Sequence, residues 1–388
     1  MVINITPEEA KRLVLSAQML GQKQVKDAKA DALTTIEHLG YVQIDTLSVV
    51  TRAHHHTLWS RLPDCYAEAH LHKLLAYDKT IFEYWSHAAS YLPMRDFRFS
   101  LLVKEHYASG GSHWFEQDKR MNQFVLDRIT AEGALQSKDF EGDKGRSGQP
   151  WYEWKSAKRA LEQMFMEGRL MVSQRKGFQK VYDLSERVLP EGVNTAHPTP
   201  TEYGHYLVQT ALRANGLCTE SEIYYLRPRW KNTVRQVLQQ GVEAGNIIEV
   251  AVEGYEKERF YALPDVVARA LNNSSSGNAN PQLHLLSPFD NLVIQRKRLL
   301  RWFGFDYIIE CYVPEPKRKF GYFVLPVLWG NTFIGRLDPK ADRKAGKLYV
   351  KKWFAEAGAP PETEWLPQLQ AKLHAFARFN GCEEVVFE

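Results

Sequence analysis

One order of elements recurs along this chain and limits what it can fold into. Residues 121–138, MNQFVLDRITAEGALQSK, read as a helix closed at Gly133 and followed by a small polar turn. Residues 151–170, WYEWKSAKRALEQMFMEGRL, form a strongly amphipathic helix, with Ala157, Ala160, Leu161, Met164 and Phe165 at helical spacing and Gly168 as its stop. LMVSQRKGFQKVYDLS then alternates about a basic turn at Gly177, as a hairpin does. The order returns further on. TPTEYGHYLVQTALRANG (199–216) is a helix, LCTESEIYYL a short helix capped by Thr219, KNTVRQVLQQGVEAGNI (231–247) a third, and IIEVAVEGYEKERFYALP a hairpin turning at Gly254. Helix, turn, helix, hairpin is the winged-helix order. The N-terminal segment reads as a degenerate first copy: a helix over 7–20 with Thr6 as N-cap and Pro7 in its first turn, a helix over 29–39 ending at Gly40, then a strand.

At 388 residues the chain is too long for one ordinary core. The reading is an α+β protein with three tandem winged-helix units, at 1–120, 121–197 and 198–271. LNNSSSGNANPQ (271–282) is a polar linker, and DFEGDKGRSGQP (139–150) is a loop of the same type within the second unit. A C-terminal domain follows over 283–388. Its stretch CYVPEPKRKFGYFVLPVLWGNTFIGRLDPKADRKAGKLYVKKWF predicts several short strands separated by Pro, Gly and Asn turns, suited to a small antiparallel β-barrel-like sheet. A helix over 364–379 closes it, and EEVVFE adds a last strand.

Charge is distributed unevenly. Net charge is only +4, yet residues 296–352 hold fourteen Lys or Arg against five Asp or Glu, an excess of nine positive charges. Two further basic runs, RLMVSQRKGFQK and LRPRWKNTVR, contain aromatic residues. Each alone is an ordinary solvated face; together, on these elements, they suit a phosphate backbone. No apolar run approaches the length of a membrane span. The N-terminus lacks the parts of a signal peptide, so a cytoplasmic protein acting at a bacterial-type nucleoid is expected, with a monomer as the default. Four scattered cysteines form no CxxC pair and predict neither a cysteine zinc site, an iron–sulfur cluster nor a disulfide framework.

The candidate chemistry lies in GYVQIDTLSVVTRAHHHTLWSRL, residues 40–62. In an extended chain Gln43 and Asp45 project to one side, so an amide and a carboxylate stand together in an apolar segment. Asp45 as a structural group caps the following helix or is neutralised by Arg52 or Arg61. As a chemical group in a DNA-binding protein, a carboxylate beside an amide suits hydrolysis of an N-glycosidic bond. Alkylation at N7 of guanine, or at N3 of adenine, makes the base cationic and a good leaving group that needs no general acid. What remains is to stabilise an oxocarbenium-like sugar and deliver water, which one carboxylate performs while the amide holds the water.

These residues carry a family resemblance. YVQIDTLSVVTRAHHHTLWSRL is similar to the signature segment of the YcaQ-type, or AlkZ-like, DNA glycosylases, whose motif is Gln–apolar–Gln or Gln–apolar–Asp; here it is Gln43-Ile44-Asp45. The likeness continues through Arg52, His54 and SRL at 60–62, then EYWSHAASYLP (83–93), LLSPFDNLVIQRKR (285–298) and GRLDPKADRKAG (335–346), and so covers nearly the whole chain. It implies tandem winged helices with a C-terminal β-barrel, and a monofunctional enzyme, free of metal and cofactor, that releases N7-alkylpurines from double-stranded DNA and unhooks N7-linked interstrand crosslinks. Carried over by position, Asp45 activates water and stabilises the cation, while Gln43 holds the water or nucleotide. Arg52, His54, Arg61, Arg336, Lys340 and Arg343 are the implied DNA contacts. His87 either supports the pair or is a satisfied core histidine. Ser287, Asp290 and Arg296 are expected to build an inter-domain junction. His54-His55-His56 is unusually histidine-rich for the pattern, and three consecutive residues in an extended chain do not all face one ion. A non-catalytic winged-helix transcription regulator is the alternative from another class, and a metal-dependent nuclease using the histidine run is a third.

Overall fold

Thr6 turns the chain into its first helix. Its hydroxyl accepts from the Glu9 amide, Glu9 accepts in return from the Thr6 amide, and Pro7 opens the first turn. The computed structural model describes residues 2–21, 27–111, 118–141, 150–272 and 281–388. Most of the expected linker 271–282 and of the loop 139–150 lies outside the described residues.

In chain order the elements are β1 (Val2–Ile5), α1 (Pro7–Ser16), α2 (Ala28–Leu39), β2 (Val42–Gln43), α3 (Ala53–Trp59), α4 (Glu68–Ala76), β3 (Ile81–Trp85), β4 (Ala89–Pro93), α5 (Leu101–Ala108), α6 (Lys119–Glu132), β5 (Leu135–Gln136), α7 (Pro150–Glu167), β6 (Leu170–Lys176), β7 (Gln179–Leu184) and α8 (Ser185–Val188). There follow α9 (Pro200–Asn215), β8 (Cys218–Thr219), α10 (Glu220–Ile223), α11 (Lys231–Glu243), β9 (Ile248–Val252), β10 (Phe260–Ala262), α12 (Pro264–Asn272), β11 (Leu283–Leu285), α13 (Arg296–Phe303), β12 (Leu325–Trp329), β13 (Thr332–Asp342), β14 (Lys347–Ala355), α14 (Glu362–Phe379) and β15 (Glu384–Phe387). None of the described helices is long and apolar enough to cross a membrane. The chain divides into two compact units, one of Met1–Tyr66 with Gly204–Glu388, the other of Ala67–Tyr203.

In the first unit a four-stranded sheet runs β1-β9-β10-β8, with β1 parallel to β9 and the rest antiparallel. The pairing of β1 was not legible beforehand: four residues show no period, and their partner lies some 250 residues away. One apolar core joins Ile5, Leu13 and Val14 to Val250 and Phe260, and these to Trp302, Phe305 and Phe333. Gly216, at the end of α9, is left-handed (φ 73°), and a Cβ there would lie 2.3 Å from the Leu13 carbonyl oxygen. Only glycine permits that approach of α9 to α1.

A second sheet in this unit runs β11-β12-β13-β14-β15. It departs from the antiparallel expectation at one place: β15 lies parallel to β14. The reason is α14, a helical crossover that brings the chain back to the same end of the sheet. Pro339 falls at a register shift between β13 and β14, where a residue without an amide proton is tolerated. The strands expected from Cys311 onward do not begin until Leu325. Instead Glu310 accepts bonds from the amides of Lys319, Phe320 and Gly321, which closes residues 310–321 into a loop.

The two parts of the first unit are tied by a buried ion pair. Arg61 Nη1 lies 2.6 Å from Asp290 Oδ2 and Nη2 3.1 Å from Oδ1; Nε donates to the Gln18 carbonyl, and Nη1 also to that of Thr57. Both side chains are essentially inaccessible. Gln18 in turn donates to the Ala214 carbonyl.

The second unit contains the hairpin β3–β4 and a three-stranded sheet β5-β7-β6, with α6 and α7 packed together. Arg175 forms a two-pronged pair with Glu83 at 2.5 and 2.8 Å. Lys104 on α5 is buried, with its ammonium 3.9 Å from the Phe97 ring centroid and 4.8 Å from that of Tyr84. Burial pulls its pKa down to about 7, and the ring faces offset part of the cost of the cation.

Removing one member of the Arg61–Asp290 pair strands the other charge in the core. Asp290→Ala is expected to lower unfolding free energy by about 3–5 kcal/mol in chemical denaturation. At Lys104 the unfolded chain binds the proton up to its ordinary pKa near 10.4 while the folded chain releases it near 7, so this residue makes stability rise with pH between those values. Lys104→Met should melt higher than wild type at pH 7, and the difference should shrink toward pH 10.

Candidate active site

Gly40 ends α2 in the left-handed conformation (φ 77°) and redirects the chain into β2. Val42 and Ile44 are buried and anchor the segment to the core. Three bonds from the C-terminal half then hold it. Asn291 Nδ2 donates to the Tyr41 carbonyl at 3.1 Å, the Ala341 amide donates to the Val49 carbonyl at 3.0 Å, and the Thr51 amide donates to Asn380 Oδ1 at 2.6 Å. The segment from 41 to 51 is thus fixed at its start and, twice, near its end.

Within it the strand is only Val42–Gln43. Strand alternation therefore ends at Gln43 and does not set Asp45 beside it; Asp45 stands in irregular backbone just beyond. Gln43 is 7% exposed, whereas Asp45 is half-buried. Asp45 Oδ1 accepts from the Leu47 amide at 2.8 Å, a local turn. It caps no helix: α3 begins at Ala53, with Arg52 at its N-cap position. Burial raises the Asp45 pKa above its ordinary value, opposed by the amides of Leu47 and Thr46 and by the charge of Arg52. Of the two arginines considered as its neutraliser, Arg52 acts on it and Arg61 is engaged with Asp290.

The loop 310–321 supplies neighbours the sequence did not single out. The Cys311 thiol is raised by burial and then by the Asp45 carboxylate, and the Tyr312 hydroxyl by burial, Cys311 and Asp45. Tyr312 is 80% exposed. These residues lie in a stretch read as strands, and no local signal links them to Asp45 across more than 260 positions.

The expected DNA contacts separate into two groups. Arg61 is buried against Asp290. Arg336 is buried too, with Nε 2.6 Å from Glu356 Oε1, Nη2 donating to the Asp306 carbonyl, and its guanidinium over the Phe305 and Phe320 rings. His54 is 2% exposed. All three are drawn into the packing, Arg61 by the Asp290 carboxylate, Arg336 by the Glu356 carboxylate and two rings, and His54 beside the His55 ring. Lys340 and Arg343, by contrast, are exposed at the end of β13 and in the turn to β14, beside the Ala341–Val49 bond. Arg52 is half-buried. His87 lies in the β3–β4 turn of the second unit, half-buried.

The histidine run is helical rather than extended. His55 Nδ1 pairs with the Tyr66 hydroxyl at 2.7 Å, and His56 Nε2 with the Leu285 carbonyl at 3.0 Å. Burial lowers their pKa values to about 3 and about 4, so both are neutral packing groups at pH 7. Among the described residues no group of three His, Cys, Asp or Glu converges as a metal site requires.

A model of the family described as DNA glycosylase AlkZ-like matches residues 36–379. The chain belongs to the AlkZ-like DNA glycosylases. That span runs from within α2, through the Gln43–Asp45 segment, to the last residue of α14. The solved structure of Streptomyces sahachiroi DNA glycosylase AlkZ resembles this one over 100% of both chains, with a TM-score of 0.64 at 14% identity, a likeness of fold. The activity that follows for the chain is that of a DNA glycosylase, with DNA as substrate, and its α+β fold is the one such an enzyme uses.

For this AlkZ-like glycosylase the two groups of cations should respond differently to substitution. Lys340→Ala with Arg343→Ala should leave the melting temperature within about 1 °C and reduce the slope of log K against log salt by about 1.8 in duplex binding, at about 0.9 per phosphate contact. Arg336→Ala should instead lower the melting temperature and leave that slope unchanged.

Proposed function

We propose that this enzyme hydrolyses the N-glycosidic bond of N7-alkylated purines in duplex DNA, including purines joined in N7-linked interstrand crosslinks, with water as the nucleophile and no lyase step. The observation that carries this reading is Asp45: a half-buried carboxylate held in one orientation by the Leu47 amide, with the positive charge of Arg52 near it.

The chemistry asks little more. An N7-alkylpurine is already cationic, so it departs as a neutral base without a general acid. The carboxylate stabilises the positive charge that develops on the sugar and accepts a proton from the attacking water. Gln43, nearly buried at the end of β2, offers an amide to hold that water or the nucleotide. A carboxylate that keeps some exposure also suits a crosslinked base, which cannot be swung fully out of the helix while tied to the opposite strand. The element orders α6-α7-β6-β7 and α9-α10-α11-β9-β10 support a reading as winged-helix units that grip the duplex, and exposed Lys340 and Arg343 supply phosphate contacts near the reacting sugar.

The test is base release from duplexes carrying one N7-methylguanine or one N7–N7 mustard crosslink, read by alkaline cleavage of the abasic product. Asp45→Asn should lower the release rate by about 10²–10⁴-fold while duplex binding persists. Strand scission before alkali would contradict the monofunctional assignment. Because the carboxylate form is required, the rate should fall as pH falls, and because burial raises the Asp45 pKa the acid limb should lie above the ordinary aspartate value near 4. An unchanged rate in the Asn variant would remove Asp45 from the mechanism.

A further inference from the structure

The basic run LRPRWKNTVR takes no part in the site described above, yet it begins with a conformational anomaly. Residues Tyr224 to Arg227 form a tight turn closed by the Arg227 amide and the Tyr224 carbonyl at 2.7 Å. Leu226 occupies its third position with φ 57°. That position in turns of this hand is one for glycine or asparagine, because an L side chain crowds its own backbone there. Strain of this kind persists when packing holds the side chain, but Leu226 is 64% exposed. The other two non-glycine residues with positive φ among those described are Met19, half-buried, and Lys79, whose ammonium donates to the Arg187 carbonyl. Leu226 alone of the three is strained, apolar and exposed at once.

Its surroundings indicate what would meet it. Pro228 stiffens the turn on its far side, and the Trp230 amide donates to the Arg227 carbonyl, so the tip is rigid. From Leu226 to Arg235 there are four basic residues and no acid. Arg229 and Lys231 are exposed, and the Arg229 guanidinium lies over the Trp230 ring at 5.1 Å. The turn also adjoins the candidate active segment. Tyr225 and Arg227 are near enough to the Tyr41 phenol to act on it electrostatically, and Tyr41 is two residues from Gln43. Glu222, one turn earlier, is held by Arg298 at 2.9 Å, and its carbonyl accepts from Gln295.

We propose that Leu226 is a wedge: it enters between stacked base pairs beside the lesion, Arg229 and Lys231 engage the flanking phosphates, and the opened step presents the damaged nucleotide to the Gln43–Asp45 segment. Apolar side chains projecting from basic, rigid turns unstack duplex DNA in this way. The role rests on the proposed function only in taking damaged duplex DNA as its ligand.

The test uses the full chain and Leu226→Gly, which removes the wedge and relieves the backbone, beside Leu226→Met, which keeps an apolar side chain. The binding probe is a duplex with a hydrolysis-resistant 2′-fluoro N7-methylguanosine next to 2-aminopurine, whose fluorescence rises on unstacking. Wild type and Leu226→Met should raise the fluorescence. Leu226→Gly should melt at or above the wild-type temperature, bind within about threefold through its phosphate contacts, and lose the rise. Its release of N7-methylguanine from an ordinary duplex should fall by about tenfold or more, and recover when the lesion sits in an unpaired bubble. A full fluorescence rise with Leu226→Gly overturns the wedge, as does a wild-type complex that shows none. A loss of release that the bubble does not restore assigns Leu226 to the turn's architecture and likewise overturns it. Failure of wild type to release any alkylated base would sink the proposed substrate while leaving the fluorescence arm to judge the wedge.

Discussion

Arg61 projects from the chain just after α3 into a core that excludes water and there meets Asp290, which lies some 230 residues later. A buried charge pair of this sort adds little net stability against apolar side chains of the same size, but it is unforgiving about geometry. The guanidinium must satisfy two carboxylate oxygens and the carbonyls of Gln18 and Thr57 together. That requirement fixes α1, α3 and the segment before α13 in one arrangement. Asn291, next in sequence to Asp290, uses the position so fixed to hold the Tyr41 carbonyl. Ser287, Asp290 and Arg296, expected at a junction, are all engaged in local or buried bonds of this region, with Arg296 donating to the Pro288 carbonyl and lying over Tyr307.

The candidate catalytic segment depends on this frame because it has little structure of its own. Two residues of strand and an irregular stretch would not by themselves hold a carboxylate in place. The C-terminal half supplies the rigidity through Asn291, the β13–β14 hairpin and Asn380. The family match, which begins inside α2 and ends at Phe379, takes in the segment, Asn291 and the β13–β14 hairpin, and stops one residue short of Asn380.

Charge shows the same division between local and distant causes. The excess of basic residues over 296–352, taken with the two other basic runs, suited a phosphate backbone. In the folded chain Arg298 and Arg336 are consumed by Glu222 and Glu356, while Lys340, Arg343, Lys344, Lys351 and Lys352 remain exposed. Arginine is the side chain drawn inside, since its planar fork satisfies carboxylates and carbonyls in two directions, whereas lysine keeps its charge in water. Folding leaves the sum of charge unchanged but decides which of these charges a phosphate can reach.

What the sequence determined by itself is whatever a few adjacent residues decide. Thr6 and Thr219 cap helices, Gly40, Gly133 and Gly168 end them, and Gly177 and Gly254 turn hairpins, as the local pattern predicts. The motif Gln43-Ile44-Asp45 and its ordered companions pointed to the AlkZ-like glycosylases, to which the chain belongs. What only tertiary structure decided depends on partners far away in the chain. β1 pairs with a strand near residue 250, β15 turns parallel because of α14, and Glu310 folds an expected strand region into a loop beside Asp45. The histidine run is buried as a helix, and two arginines marked for DNA are used inside. Backbone preferences act over a few residues and can be read in order, but burial and ion pairing depend on which surfaces meet, and a linear pattern carries no record of that.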